Sequence, residues 1–271
     1  MKSATWATES GAPWHRRYVR AEWIKLRTVR RTSWLVLAAV ALTIALSAAA
    51  DAFVSYGAFP SIDPVKLTLV GVQLGQALVA ALAVLTISSE YDTGLIRATF
   101  TAMPHRLAVL RAKVSLVTAI ALLASALAVL GSFLVGRLLL PAEGYTPAHG
   151  YALLSLTSGT VLRAVAGSAI YLTLIALLSL GVATVFKETT ASIGSMLGLL
   201  YLFPLLGGMV SNPYWQRLLQ EIDPASAGLA VQATVGPQAF PMNPWAGLGV
   251  VAAWAAAALA AGALLVCRRD H

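Results

Sequence analysis

Charge is scarce in this chain. Only 11% of its 271 residues are Asp, Glu, Lys or Arg, under half of the roughly 25% usual in a soluble domain. Hydrophobic residues make up 58%, and the mean hydropathy is +0.77. A water-soluble core cannot absorb that much apolar surface, so the composition specifies an integral membrane protein. Cysteine is scarcer still. Cys267 stands alone, which excludes an internal disulfide. It ends the last apolar run before Arg268 and Arg269, either as a small buried or lipid-facing residue or as a juxtamembrane palmitoylation site. The phosphate-cradling loop G-x-x-x-x-G-K-[S/T] is missing, so the chain is not expected to hydrolyse ATP itself. The four histidines are scattered, and no His, Cys or carboxylate cluster has metal-ligand spacing. No serine is paired with the base that nucleophilic catalysis needs. Neither enzymatic activity, a metal nor a cofactor bound by this chain is expected.

Six apolar stretches are present. They cover residues 33–53, 67–87, 114–138, 161–186, 191–209 and 245–267. Each is long enough to cross a hydrocarbon core of about 30 Å as a helix. The expected fold is therefore an all-α integral membrane protein with six transmembrane helices. Residues 1–32 form an N-terminal tail, 33–267 the membrane domain and 268–271 a short C-terminal tail. Only Lys187, Glu188, Thr189 and Thr190 separate the fourth and fifth spans, which predicts a tight hairpin.

The net charge of +8 is explained by orientation, with no call for nucleic acid. With a cytoplasmic N-terminus, Lys66, Arg137, Arg163 and Arg217 fall on the outer side. The remaining 15 of the 19 Lys and Arg fall on the cytoplasmic side. That split follows the positive-inside rule and puts both termini in the cytoplasm. Arg30-Arg31 before an apolar run faintly resembles a twin-arginine leader. The region before it is too long and the apolar run exceeds a signal core, so the first span is expected to be retained.

Residues 15–32 contain no Pro or Gly and read as a helix. Arg16, Arg17, Arg20, Arg27 and Arg31 share about a third of its circumference. Trp14, Tyr18, Val19, Trp23, Leu26 and Val29 lie mainly opposite, interrupted by Glu22, Lys25 and Arg30. Such a helix lies along the cytoplasmic leaflet, its tryptophans at headgroup depth and its arginines on anionic lipid. A plain orientation signal would use the same residues.

A compact polar segment follows the second span, from Glu90 to Lys113. Asp92 and Thr93 are helix-capping residues. Leu95, Ile96, Thr99, Phe100 and Met103 then recur at helical spacing until Pro104 stops the pattern. A short amphipathic helix is expected at the cytoplasmic face, its apolar stripe covered by lipid, by the chain itself or by a partner. An ordinary loop with one half-buried helical turn fits the same spacing.

Two stretches resemble the membrane subunits of ABC transporters of the ABC-2 (export) type. The first runs from Ala21-Glu22-Trp23-Ile24-Lys25-Leu26-Arg27 to Arg31-Thr32-Ser33-Trp34 and is similar to their E-x-x-K…R-x-S/T-x-W opening. The second is Glu90, Thr93-Gly94, Arg97, Pro104-His105-Arg106 and Lys113. It resembles their E-x-x-x-G-T/L…P-x-R…K segment, with Leu95 where many relatives have Thr. A third, weaker likeness spans Asn212-Pro213-Tyr214-Trp215 to Asp223-Pro224-Ala225-Ser226-Ala227-Gly228. The resemblance implies a multi-pass protein of the bacterial plasma membrane. It implies a separate ABC ATP-binding subunit as partner, with ATP and Mg on that subunit, and a second permease chain, identical or related. It implies that the N-terminal interfacial helix (Glu22, Trp23, Lys25, Arg27) and a coupling helix touch the ATPase. The coupling residues would be Glu90, Asp92, Thr93, Gly94, Arg97, Phe100, Pro104, Arg106 and Lys113.

Within the spans, Gly71 and Gly75 lie four apart, as do Gly194 and Gly198. Small residues at that spacing let helices approach closely. Packing within the chain is the expectation for both pairs, and the resemblance makes Gly194 and Gly198 the better dimer candidates. Gln73 and Gln76 are polar residues inside the second span. Arg137 and Arg163 lie within snorkelling reach of the outer surface. Asp51 is expected to face water. In the stretch 211–244, Trp215, Leu218, Leu219 and Ile222 predict a short outer helix.

The span centres carry almost no ionisable residue, which argues against a secondary transporter or an intramembrane enzyme. A permease subunit of an ATP-driven exporter and a non-transporting membrane scaffold or sensor are the two readings left.

Overall fold

The computed structural model describes residues 30–54, 57, 62–92, 106–149, 154–234 and 243–268. Among them all regular structure is helical. Six helices are long and apolar enough to cross a membrane: Ser33–Phe53, Pro64–Ser88, Leu107–Leu139, Gly159–Phe186, Thr189–Gly208 and Pro244–Cys267. In order, the elements are α1 (Arg30–Phe53), α2 (Pro64–Thr68), α3 (Val70–Asp92), α4 (Arg106–Leu139) and α5 (Gly159–Phe186). Then come α6 (Thr189–Leu197), a π-helical turn (Gly198–Leu202), α7 (Phe203–Gly208), α8 (Pro213–Ile222), α9 (Pro224–Leu229) and α10 (Pro244–Arg268).

α5 is the centre of the bundle. Its most apolar window is 67% buried, against 17% for α1 and 22% for α10. α3, α4 and α10 pack directly on it, and α1 lies outside α3 and α4. Lipid offers no hydrophobic drive between helices, so close approach of small residues has to supply contact. A Cβ at Gly181 would stand 2.7 Å from the Ala258 carbonyl carbon, and one at Gly262 would stand 2.9 Å from Thr184 Cβ. These two glycines seat α10 on α5. A Cβ at Gly71 would strike Ser47 and Thr43, and one at Gly75 would strike Thr43. The expected packing of that pair within the chain is thus observed, against α1. Buried hydroxyls on α5 turn back to their own helix: Thr173, Ser179 and Thr184 donate to the carbonyls of Ala169, Ile175 and Leu180. That satisfies them without a partner helix. On α4 the outward Leu123, Leu127, Leu134 and Leu138 are all more than half exposed, a lipid-facing stripe.

One helix starts earlier than expected. The third span was placed from residue 114, with Arg111 and Lys113 leading into it. The helix instead begins at Arg106 and runs for 34 residues, about 50 Å at 1.5 Å per residue. Backbone hydrogen bonding continues past the hydrocarbon edge because nothing there breaks it. The hairpin is tighter than four residues. Lys187 takes a left-handed conformation (φ 58°) that caps α5, and Glu188 precedes the first residue of α6.

Helix ends alternate between two faces. The capped end carries α2, α8 and α9. The opposite end carries the starts of α1 and α4, the ends of α3 and α10, and the α5–α6 turn.

Candidate functional site

A polar cavity of about 440 Å³ lies toward the capped end. Its walls are Lys66, Val70, Gln73 and Gln76 from α2 and α3, then Leu200, Tyr201, Pro204 and Leu205 from the broken sixth-to-seventh helix. Gln220, Ala225, Ser226, Leu229 and Gln232, from α8 onward, close it. Four of these are glutamines, and none is Asp or Glu.

Pro204 explains the break. A proline lacks the N–H for the helical ladder, and its ring crowds the carbonyl four residues back, here that of Leu200. The strand of hydrogen bonds slips by one residue, so that Phe203 N–H reaches the Gly198 carbonyl. Single π-turns of this kind disrupt the surrounding helix and cluster at functional sites. The turn places Tyr201 against α3, where its hydroxyl donates to the Gln73 carbonyl at 2.7 Å.

Two buried side-chain hydrogen bonds join elements beside the cavity. Tyr171, fully buried on α5, donates to Gln76 Oε1. Gln232 Nε2 donates to Ser168 Oγ at 3.0 Å.

The cap is fastened at both ends by Asx-Pro pairs. Asp63 Oδ1 accepts from Val65 N–H at 3.0 Å at the start of α2. The same carboxylate accepts from Thr234 N–H at 2.6 Å and Thr234 Oγ1–H at 2.7 Å. Asp223 Oδ2 accepts from Ser226 N–H at 2.7 Å and caps α9. Burial raises the Asp223 carboxyl above its usual range, against the opposing pull of its bonds from Ser226 and Ala225. Arg163 donates to the Ala233 carbonyl. A Cβ at Gly228 would strike the Tyr171 ring, and one at Gly247 the Ala227 carbonyl. α9 is thereby pressed onto α5 and α10. The expected short helix is present as α8, with Trp254 Nε1–H donating to its Ile222 carbonyl at 3.0 Å.

Asp51 corrects an expectation. It does not face water but is fully buried, and neither carboxylate oxygen has a hydrogen-bond partner among the described residues. A Cβ at Gly136 would stand 2.8 Å from Asp51 Oδ2 and would also meet Thr68. The carboxylate is thus enclosed between α1, α2 and α4.

Of the expected coupling residues, Glu90 and Asp92 belong to the last turn of α3, and Arg106 opens α4. Thr93, Gly94, Arg97, Phe100 and Pro104 lie outside the described residues, as do Glu22, Trp23, Lys25 and Arg27. Lys113 is buried, and its Nζ donates to the Thr86 carbonyl at 3.3 Å. It ties α4 to α3 near the opposite end. Gly194 and Gly198 do not show the expected close packing within the chain: they face open space, with nothing within 4 Å of an added Cβ. Among the described residues no group of three His, Cys, Asp or Glu could hold a metal.

Sequence reasoning singled out Gln73 and Gln76 but missed Tyr171, Tyr201, Pro204 and Gln232. Two tyrosines and a proline inside apolar spans were the available signal. No family model matches the chain, and no curated protein matches it.

Proposed function

We propose that this chain is the membrane-spanning permease subunit of an ATP-driven ABC-type exporter. The reading is carried by the cavity built around a broken helix, since irregular backbone inside a membrane is tolerated where it lines a cavity or binding site. Further support comes from the end of α3 and the start of α4, which lie at the end opposite the cavity, while α3 carries Gln73 and Gln76. A push on that end reaches the cavity along a single rigid helix, and the Lys113–Thr86 bond makes α3 and α4 move together.

In this reading the capped end is outward and both termini are cytoplasmic. Glu90 to Pro104, with Arg106, couples to a separate ABC ATP-binding subunit, which holds ATP and Mg. The N-terminal tail lies on lipid beside that subunit, and the membrane is a bacterial plasma membrane. Two permease chains pair, with Gly194 and Gly198 in the contact.

The test is affinity purification of the tagged chain in mild detergent, with mass spectrometry and an ATPase assay. A stoichiometric ATP-binding subunit is expected. Glu90→Gln and Arg97→Ala should insert normally yet lose most of the substrate-dependent hydrolysis. A chain that purifies alone, under conditions that preserve a known transporter complex, points instead to a non-transporting scaffold or sensor. Unchanged hydrolysis in both variants removes the coupling assignment.

A further inference from the structure

We infer that the cavity receives an uncharged group that both donates and accepts hydrogen bonds, a hydroxyl or a secondary amide, carried on an apolar body. The inference deepens the permease reading by assigning its substrate class, and it rests on the cavity's unspent hydrogen-bonding capacity.

The buried amides set the polarity. Gln232 is 3% exposed. Its Nε2 is spent on Ser168, and its Oε1 has no partner among the described residues. The cavity therefore offers a carbonyl acceptor. Gln76 is 1% exposed. Its Oε1 is taken by Tyr171. A primary amide has two N–H donors, so donor capacity remains. The deep wall thus presents an acceptor and a donor, both neutral.

That pair discriminates by chemistry. A carboxylate or phosphate only accepts, so it would leave Gln232 Oε1 facing like partial charge. An ammonium only donates, so it would leave the Gln76 N–H unmet and find no carboxylate in the wall. A buried charge without a counter-charge is costly. Lys66 is the one charged wall residue, and it is exposed. A hydroxyl or secondary amide both donates and accepts, so it matches the acceptor and the donor of this wall. Leu200, Leu205 and Leu229 supply the apolar wall, and Leu205 is exposed. The volume of about 440 Å³ suits a small amphiphile.

The full chain in lipid nanodiscs is titrated with four probes sharing one octyl tail: octyl glucoside, N-octylacetamide, octyl phosphate and octylammonium. Empty nanodiscs provide the blank. Saturable binding is expected for one or both neutral probes and not for the charged pair. Binding of the glucoside alone identifies a hydroxyl-bearing ligand such as a glycoside, and of the acetamide alone a peptide-like one. Gln232→Leu should weaken the neutral probes about tenfold, the loss of one hydrogen bond from a buried site. Gln232→Glu keeps the side-chain size, so it checks against misfolding. It keeps the acceptor oxygen, so it should retain the neutral probes and gain octylammonium. Octyl phosphate or octylammonium binding the unaltered chain as tightly as the neutral probes overturns the inference, as does an affinity indifferent to both Gln232 variants. Binding needs no ATPase, so the two readings fail separately. A partner ATPase without neutral-probe binding removes the substrate class alone, and neutral-probe binding without an ATPase removes the exporter alone.

Discussion

Asp51 is the residue with the least evident support. A carboxylate enclosed by α1, α2 and α4, with no hydrogen bond to either oxygen among the described residues, contributes instability when ionised, because its hydration is not replaced. Asp51→Asn removes the charge at nearly constant shape. Its melting temperature should equal or exceed that of the unaltered protein, and a clear drop would reveal a stabilising partner for the carboxylate. Gly136→Ala should behave oppositely. Its methyl would enter space held by Thr68 and Asp51, at a cost of roughly 1–3 kcal/mol for overpacking. Denaturation of the two variants in the same detergent checks both. Asp51 was misread from sequence because it ends an apolar run, where side chains usually reach water. Its depth is set by α2 folding back and by the gap at Gly136, and neither is a local property of residues near 51.

At the scale of elements, four helices at the capped end begin alike. Asp63-Pro64, Asn212-Pro213, Asp223-Pro224 and Asn243-Pro244 each place an oxygen on the first free N–H groups. Proline at the first helical position gives up an N–H that has no acceptor there anyway. The signal was open in the sequence at all four sites. Asp223 has a further, pH-dependent role. Its folded-state pKa is raised, so the folded protein holds that proton more tightly than the unfolded chain. The resulting cost is complete at neutral pH, shrinks as pH falls through the raised value, and is gone below the unfolded value of 3.8. Mild acidification should therefore strengthen the α8–α9 junction. Asp223→Asn should flatten that pH dependence while keeping the cap, and Asp223→Ala should lose about 1 kcal/mol of capping. Hydrogen exchange across residues 213–232 at several pH values reads both effects. The break at Pro204 was less legible. The apolar run passes through it unchanged, so hydropathy reports one span where the hydrogen-bond ladder has slipped.

Across the whole molecule, the six crossings were legible because lipid demands continuous apolar helices of a minimum length. Which helix occupies the centre was not. α5 and α10 have the same mean hydropathy of 2.3 in their most apolar windows, and only the small residues on their shared face distinguish a buried helix from a lipid-facing one. Pairing between chains belongs to this scale. An added Cβ at Gly194 or Gly198 meets no atom within 4 Å, so chains carrying Gly194→Leu or Gly198→Leu should fold as before. If these glycines form the contact between two permease chains, cross-linking in the native membrane should fall several-fold. Unaltered cross-linking would place the contact elsewhere.

The two-residue turn at Lys187 and Glu188 has a mechanical consequence. It pins the start of α6 to the end of α5, with Ser192 Oγ–H holding the Glu188 carbonyl at 2.6 Å. The slipped ladder at residues 198–202 then lies partway along an arm that Tyr201 ties to α3 through the Gln73 carbonyl and whose far end packs on α8. A displacement of the turn would therefore be felt along the cavity wall as far as α8.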